Sequence, residues 1–506
     1  MVLYGSKPDR SARPIFRMSM KMNLNEQLSH LFNPKSVAVI GASNTFGKWG
    51  FNIMGRVLQS RGDREVYPVN RKDPEVMGLK AYKNLLDIPN PVDFAVITVP
   101  YEDVPAAMQD CVQKGVKTAV VITGGLAESG EEGARVEREV VEIARRGGIR
   151  FVGPNCLGHF DTHSGLCTVA FMPKIKKGNV ALISQSGNSS QSILNYGLQN
   201  GLGFSKFVSS GNEADLHFED YLEYLGQDDK TDVILGYIEG FREGKRLFKL
   251  CKEITRKKPV VIMKAGRTDV GARAARSHSA ALAGSDAVLD AALRQCGVIR
   301  VDEINELIEV AVALLGQPLP RGKRVGVLAM GGGMAVMAAD ALRHEGLELP
   351  PLSPSTMEKL NALLSRRWPH ANPVDPAGDF VSYHLLWPMI EDKNFDAIVM
   401  IGGVGMTSSF AGWIDIPPSM KYDAERLRRG MERAESDYLN QTIDLMKKHR
   451  KPVIFTTMVW GAVRKGRIFR KLRQSHLEPY HAPEKSARVL AHLVRYSEYL
   501  GIARSK

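Results

Sequence analysis

The 506-residue chain has no uninterrupted apolar run of about 18 residues, the length a helix needs to cross a bilayer, so no membrane span is read in it. Its first residues also lack the apolar core of a secretory signal, and a cytoplasmic protein is expected. Cysteine is scarce: Cys111, Cys156, Cys167, Cys251 and Cys296 are scattered, with no CxxC pair. That spacing argues against a zinc knuckle and a disulfide framework; no metal ligand set is read, and a reducing compartment is expected. Aromatic residues make up 7% of the chain and do not interleave with its basic stretches. The net charge of +13 therefore comes without the stacking platform of a single-strand nucleic-acid binder. Spread along the sequence, it suits anionic small molecules or an acidic partner protein.

What is present is an apolar content of 44% in a chain too long for one core, which predicts about three domains. One pattern occurs three times, at 35–43, 178–187 and 323–333: a polar or basic residue, a short β-branched apolar run, then a turn containing glycine. Continuous apolar runs of that length read as strands buried on both faces of a parallel sheet, with the turns at the strand ends where open α/β sheets bind ligands. The predicted division is a disordered basic tail at 1–28, then α/β units at 29–170, 171–318 and 319–506, with breaks where proline, glycine and lysine gather.

In the first unit a strand over 36–40 runs into Gly41-Ala-Ser-Asn-Thr-Phe-Gly-Lys-Trp-Gly and then a helix over 51–59. Glycines at such a turn let backbone amides face a phosphate at the helix start, and Lys48 adds a point charge. The spacing is not G-x-G-x-x-G, and the next strand, 65–69, ends in Asn70-Arg71-Lys72 where an NAD site supplies an acid. A basic end favours a nucleotide with an extra ribose phosphate, which leaves NADP and coenzyme A open. Further strands are read at 93–99, ending at Pro100, and at 118–122, entering Thr123-Gly-Gly. Turn chemistry alone accounts for Gly153-Pro154-Asn155, and burial alone for Cys156.

The second unit opens with Ser184-Gln185-Ser186-Gly187 before a helix over 188–197, a cup of hydroxyls and helix-start amides suited to phosphate. A strand over 233–238 ends in Glu239, and one over 259–263 leads through Lys264-Ala-Gly into the loop 272–285. That loop is rich in small residues and carries His278 between two serines, with Arg267, Arg273 and Arg276 just upstream. A phosphate cup, a carboxylate and a histidine at strand ends of one sheet converge as a site does. The third unit, with Gly331-Gly-Gly, Asn372-Pro-Val-Asp and strands at 397–401 and 452–456, reads as a docking or ligand-shaping domain.

Taken in order, Gly41-Ala-Ser, Gly153-Pro-Asn-Cys, Ser184-Gln-Ser-Gly, Gly211-Asn-Glu-Ala-Asp, Tyr237-Ile-Glu-Gly, Lys264-Ala-Gly-Arg, Ser277-His-Ser and Asn372-Pro-Val-Asp resemble the NDP-forming acyl-CoA synthetases, from Leu31 onward. The resemblance implies an N-terminal Rossmann-like CoA-binding domain followed by two flavodoxin-like parallel-sheet domains. It implies an α-type subunit that interconverts acyl-CoA, phosphate and ADP with a carboxylic acid, CoA and ATP through an acyl phosphate and a phosphohistidine. His278 matches the phosphorylated histidine and Glu239 the carboxylate that orients it. Ser184, Gln185, Ser186 and Gly187 match the phosphate cradle. Gly41, Ala42, Ser43, Gly47, Lys48, Asn70, Arg71, Lys72, Val99, Pro100, Asn155 and Cys156 are the expected CoA contacts.

No stretch resembles the ATP-grasp half, so ADP or ATP with Mg is expected on a separate β-type partner subunit, in a hetero-oligomer or homodimer. The small-molecule partner is a small carboxylic acid or its acyl-CoA. The chain departs from the family pattern at Ser279-Ala280, where Thr-Gly is usual, and at Asn188-Ser-Ser, where small apolar residues are usual. The first departure motivates an alternative, a non-catalytic CoA-binding or sensing protein; an NADP-dependent oxidoreductase is a third reading, carried by the glycine turn and Arg71-Lys72.

Overall fold

The computed structural model describes residues 23–268, 270, 271, 273, 286–378, 383–405, 417, 419, 421–457 and 466–503. His278 and most of its loop lie outside the described residues, as do residues 1–22. The first helix, α1 (Leu24–Phe32), starts inside the stretch expected to be a disordered tail. Asn23 accepts from the Glu26 amide while Glu26 reaches back to the Asn23 amide, a capping box, and Leu28, Leu31 and Phe32 are buried. The cap and that apolar face place a helix within the stretch expected to be disordered.

Strands β1 (Ser36–Ile40), β2 (Glu65–Val69), β5 (Phe94–Ile97), β6 (Thr118–Val121) and β7 (Arg150–Val152) form a parallel sheet in the order β2-β1-β5-β6-β7. Helices α2 (Trp49–Gln59), α3 (Val104–Lys114) and α4 (Glu131–Gly147) connect them, and a short hairpin, β3 (Glu75–Val76) and β4 (Leu79–Lys80), follows β2. The second sheet contains β10 (Lys177–Ser184), β11 (Phe204–Ser209), β12 (Val233–Ile238), β13 (Val260–Lys264) and β14 (Ile299–Val301), with α5 (Gly187–Gln199), α6 (Phe218–Gln227) and α7 (Gly244–Ile254) between them. Its order is β14-β13-β12-β10-β11-β8-β9, where β8 (Gly158–Asp161) runs antiparallel to β11 and β9 (Leu166–Cys167) antiparallel to β8. Residues 158–167, expected with the first unit, thus close the edge of the second sheet. A third parallel sheet joins β15 (Val325–Ala329), β16 (Ala397–Ile401) and β17 (Val453–Thr456). Among the described residues no helix is long and apolar enough to cross a membrane.

The apolar runs are continuous because alternate residues face two different cores. In β1, Val37 and Val39 enter one core and Ala38 and Ile40 another. In β10, Ala181 and Ile183 share the core of Val37 and Val39, whereas Val180 and Leu182 share that of Val325, Val327 and Ala329 in β15. The middle sheet is thus covered on both faces by helices whose apolar residues continue into the cores of its neighbours.

A polar knot secures the antiparallel edge. Lys206 of β11, 4% exposed, lies 3.4 Å from Asp161 of β8 and 2.8 Å from Asp228 after α6. Burial would raise the Asp228 carboxyl, but the hydrogen bonds from Lys206 and Thr231 outweigh it and hold the group below its ordinary value. Nearby His159 is fully buried between Phe32 and Phe94, and burial pushes its imidazole down to about 4, so it stays neutral. Replacing Lys206 by Met strands two buried carboxylates, and equilibrium urea unfolding should show a loss of about 3–5 kcal/mol.

Candidate functional site

Both large sheets have the doubly wound order that reverses direction at one point, and ligands bind outside the strand ends at that point. In the first sheet the reversal lies between β1 and β5, at Gly41 and Thr98; in the second it lies between β10 and β12, at Gln185 and Glu239. A single cavity of about 1000 Å³ is lined at both. Its lining includes Gly41, Ala42, Ser43, Gly47, Lys48, Asn70, Arg71, Lys72, Val99, Pro100, Asn155 and Cys156 from the first unit, and Gln185, Ser186, Gly187 and Glu239 from the second.

At the first switch point Gly41 has φ +91°, and a Cβ there would stand 2.8 Å from the Thr98 hydroxyl. Gly50 in the first turn of α2 is tighter: its Cβ would come 1.9 Å from the Gly41 carbonyl oxygen. Only glycine lets the start of α2 approach the end of β1 this closely. Lys48 caps α2 without a side-chain hydrogen bond, and Lys48, Trp49 and Gly50 at the helix start line the cavity. Asn70 ties the turn together, donating to the Ala42 carbonyl at 2.8 Å and accepting from the Lys72 amide at 2.7 Å. Arg71 reaches Asp103 at 3.3 Å in an exposed pair of the kind an incoming anion can replace. Cys156 is buried, donates to the Val121 carbonyl, and its thiol is pushed up to about 12 by burial, so it lines the cavity as a neutral group.

The two units are joined by backbone beside these points, through the segments at the ends of β7 and β11. The amides of Asn212, Ala214 and Leu216 donate to the carbonyls of Pro154, Gly153 and Phe151 at 3.0, 3.1 and 3.3 Å. Gly211, at φ +60°, brings its Cα so close that a Cβ would meet the Pro154 oxygen at 2.2 Å. Asn212 then latches onto the first unit, donating to Glu128 at 2.6 Å and Glu137 at 2.9 Å. These contacts explain Gly153-Pro-Asn-Cys and Gly211-Asn-Glu-Ala-Asp as two halves of one seam.

At the second switch point two expectations are corrected. Ser184 is fully buried and its hydroxyl donates to the Ser186 carbonyl at 2.8 Å, so it is not presented to the cavity. Gln185 lines the cavity, but its N–H groups are spent: the main-chain amide donates to Tyr237 at 3.1 Å, and Nε2 donates to Gly240 at 2.8 Å and to Glu213 at 3.0 Å. That leaves Ser186, Gly187 and Asn188 lining the cavity at the start of α5, where Ser186 caps the helix by accepting from Ser189. Gly187 abuts Leu157, against which a Cβ would press at 2.8 Å. Half-buried Glu239 stands opposite, close enough to Lys264 to oppose the lowering of that ammonium by burial. Arg267 is engaged with Asp286 and Asp302; Arg276 lies outside the described residues.

Sequence reasoning missed Lys83 and Asn84, which line the cavity after the hairpin following β2 and carry no local signal of it. It also missed Glu213, held in the left-handed region at φ 52° behind Gln185. Burial pushes the Glu213 carboxyl up to about 8, reinforced by Glu219 and opposed by Ser210, Gln185 and Arg242, with Tyr221 also packed nearby. A proton on Glu213 has an outlet, since the Ser210 hydroxyl 2.7 Å away can accept it while donating to the Ser184 carbonyl. Between the ordinary value of 4.5 and about 8 the folded chain keeps a proton that the unfolded chain has lost. Stability supplied by this group is thus complete at low pH and falls as pH rises through that window. Denaturant unfolding between about pH 5.5 and about pH 8.5 should show the native chain losing stability relative to Glu213→Gln, whose amide does not titrate.

Comparison with known proteins agrees with this layout. Residues 35–160 match the family model of a CoA binding domain, and residues 177–314 that of a succinyl-CoA ligase like flavodoxin domain. The chain is 42% identical over 377 residues to the acetate–CoA ligase [ADP-forming] II subunit alpha of Pyrococcus furiosus, covering 74% of this chain and 82% of that protein. It is 43% identical to acetate–CoA ligase [ADP-forming] I of Archaeoglobus fulgidus, where it spans only 54% of the relative's length. A solved structure of the dinucleotide forming acetyl-coenzyme A synthetase 1 of Ca. Korarchaeum cryptofilum, in complex with phosphate and ADP, matches with TM-score 0.78 and 31% identity over 94% of this chain and 98% of that one. A chain with these two domains in this order, joined across one cavity, belongs to the NDP-forming acyl-CoA synthetases, the ADP-forming acid–thiol ligases.

Proposed function

We propose that the chain binds CoA along the first switch point and exchanges phosphate at the second, as the α-type part of an ADP-forming acyl-CoA synthetase. The observation that carries this reading is the continuity of the cavity from the Gly41 turn to Glu239, with a helix start opening into it from each sheet. Its volume of about 1000 Å³ suits a large extended ligand. The start of α2 with Lys48 takes the CoA phosphates, and Arg71, Lys72 and Lys83 meet the extra ribose phosphate. The basic end of β2 thereby serves CoA, and the NADP reading falls with the family match.

In the proposed chemistry a phosphate held by Ser186, Gly187 and Asn188 attacks the thioester carbonyl carbon. The carbon–sulfur bond breaks, CoA thiolate leaves, and an acyl phosphate remains. A ring nitrogen of His278 then attacks phosphorus, and the carboxylate departs. Glu239 accepts the N–H of the other ring nitrogen and stabilises the cation that forms as phosphorus is transferred. The α5 helix start neutralises charge on the moving phosphoryl group. ADP takes the phosphoryl group from the histidine to give ATP; we place that nucleotide on an ATP-grasp partner, in line with the "subunit alpha" naming of the Pyrococcus furiosus relative.

Mixed with an ATP-grasp partner, acyl-CoA, phosphate and Mg-ADP, the chain should acquire an acid-labile phosphate, and His278→Ala should lose it together with about a thousandfold or more of turnover. Normal turnover by that variant would overturn the phosphohistidine. CoA binding without phosphate uptake under any partner condition would leave the CoA-sensing reading. In thermal-shift titrations CoA should raise the melting temperature more than dephospho-CoA does, and Arg71→Ala should narrow that gap.

A further inference from the structure

We propose that Gln185 is a positioning residue for Glu239: its side-chain amide, backed by the carboxyl of Glu213, extends the β10–β12 ladder past its last rung and fixes the backbone from which Glu239 projects. This rests on the reading of Glu239 given above.

The β10–β12 pairing ends with the Gln185 amide donating to the Tyr237 carbonyl. Beyond it the main chains part, β10 turning into α5 and β12 into the loop 239–243. The Gln185 side chain takes over at this point. Its Oε1 accepts from the Glu239 amide and, at 3.1 Å, from the Gly240 amide; its Nε2 donates to the Gly240 carbonyl at 2.8 Å. One primary amide thus does for residues 239 and 240 what a further peptide of β10 would have done. The second Nε2 hydrogen goes to Glu213 at 3.0 Å, so all four hydrogen-bonding positions of the side chain are filled.

That saturation sets the amide's orientation. Glu213 is 3% exposed and is itself held by the Ser210 hydroxyl at 2.7 Å. It belongs to the loop that the seam binds to the first unit, so the chain of contacts runs from the Pro154 carbonyl through residues 212 and 213 to Gln185 and Glu239. The backbone of residues 239 and 240 is thereby tied to the end of β10. A ligand-facing group fixed by a fully satisfied support is what accurate phosphoryl transfer requires. No donor of Gln185 remains for phosphate, so its presence in the lining is accounted for by this role.

The test compares the native chain with Gln185→Met, Glu213→Leu and Glu213→Gln, reading amide hydrogen exchange at residues 239 and 240 and phosphate uptake from acyl-CoA and inorganic phosphate with the ATP-grasp partner present. Gln185→Met should speed exchange at those two amides about tenfold or more while β10 and β12 stay protected. It should slow phosphate uptake about a hundredfold with CoA affinity within about twofold, because the CoA-phosphate contacts lie at the other switch point. Glu213→Leu should behave the same way, and Glu213→Gln, which keeps the acceptor, should restore both readouts. Unchanged exchange in Gln185→Met overturns the proposal, as does faster exchange with undiminished phosphate uptake. A native chain that takes up no phosphate overturns the reading of the site, and the exchange pattern then decides the clamp by itself.

Discussion

The interaction on which the molecule depends is the backbone seam between residues 151–154 and 212–216. Three main-chain hydrogen bonds hold it, and at Gly211 the approach is so close that no side chain fits. Each sheet makes its own crevice by strand order alone. The seam sets the two crevices edge to edge, in one continuous cavity. The side-chain latch of Asn212 onto Glu128 and Glu137 and the ion pair of Arg150 with Asp215 guard the seam at either end. Interactions of this sort permit little sliding, because a shift of one residue would leave buried peptide groups without partners.

Much of this was legible in the residues. The runs at 36–40, 65–69, 233–238 and 397–401 were read as strands from apolar continuity and are strands with those bounds. Glycine turns at strand ends pointed to the crevices, and Gly41, Lys48, Arg71, Ser186 and Glu239 meet in one cavity. The failures have a common cause. Whether a polar side chain faces a ligand or a neighbour depends on hydrogen bonds to residues far away in sequence. Ser184 and Gln185 stand beside Ser186 and Gly187 in the same motif, yet they turn to Ser186, Tyr237, Gly240 and Glu213. Glu213 gives no local sign that it is a buried acid, and Lys83 comes to the cavity only because the hairpin after β2 returns there. The basic tail was drawn too long for a local reason, a capping box that starts α1 at Leu24.

The third unit is tied to the second by polar contacts set in apolar ones. His492, on the helix Pro483–Tyr499, meets Glu306 at 2.9 Å with both groups buried. From the same helix the Tyr496 hydroxyl donates to the Thr255 carbonyl at 2.6 Å, and Tyr499 packs so tightly on Gly297 that a Cβ there would be 2.1 Å from its ring. Thr255 in turn donates to the carbonyls of Cys251, in the last turn of α7, and Cys296, just after the helix Asp286–Gln295 of the middle unit. The last helix is thus bonded to the framework beneath the second switch point, on the side away from the cavity. Among the described residues, accordingly, the third unit contributes none to the cavity lining.

The middle sheet shares one core with the first unit and another with the third, in each case through helices that lie on its faces. Were the third unit cut away, the apolar side chains through which the helix Ile304–Gly316 packs on the helix Pro483–Tyr499 would be uncovered to water. The three units are therefore held together by shared apolar cores, and parting them would cost the burial those cores provide.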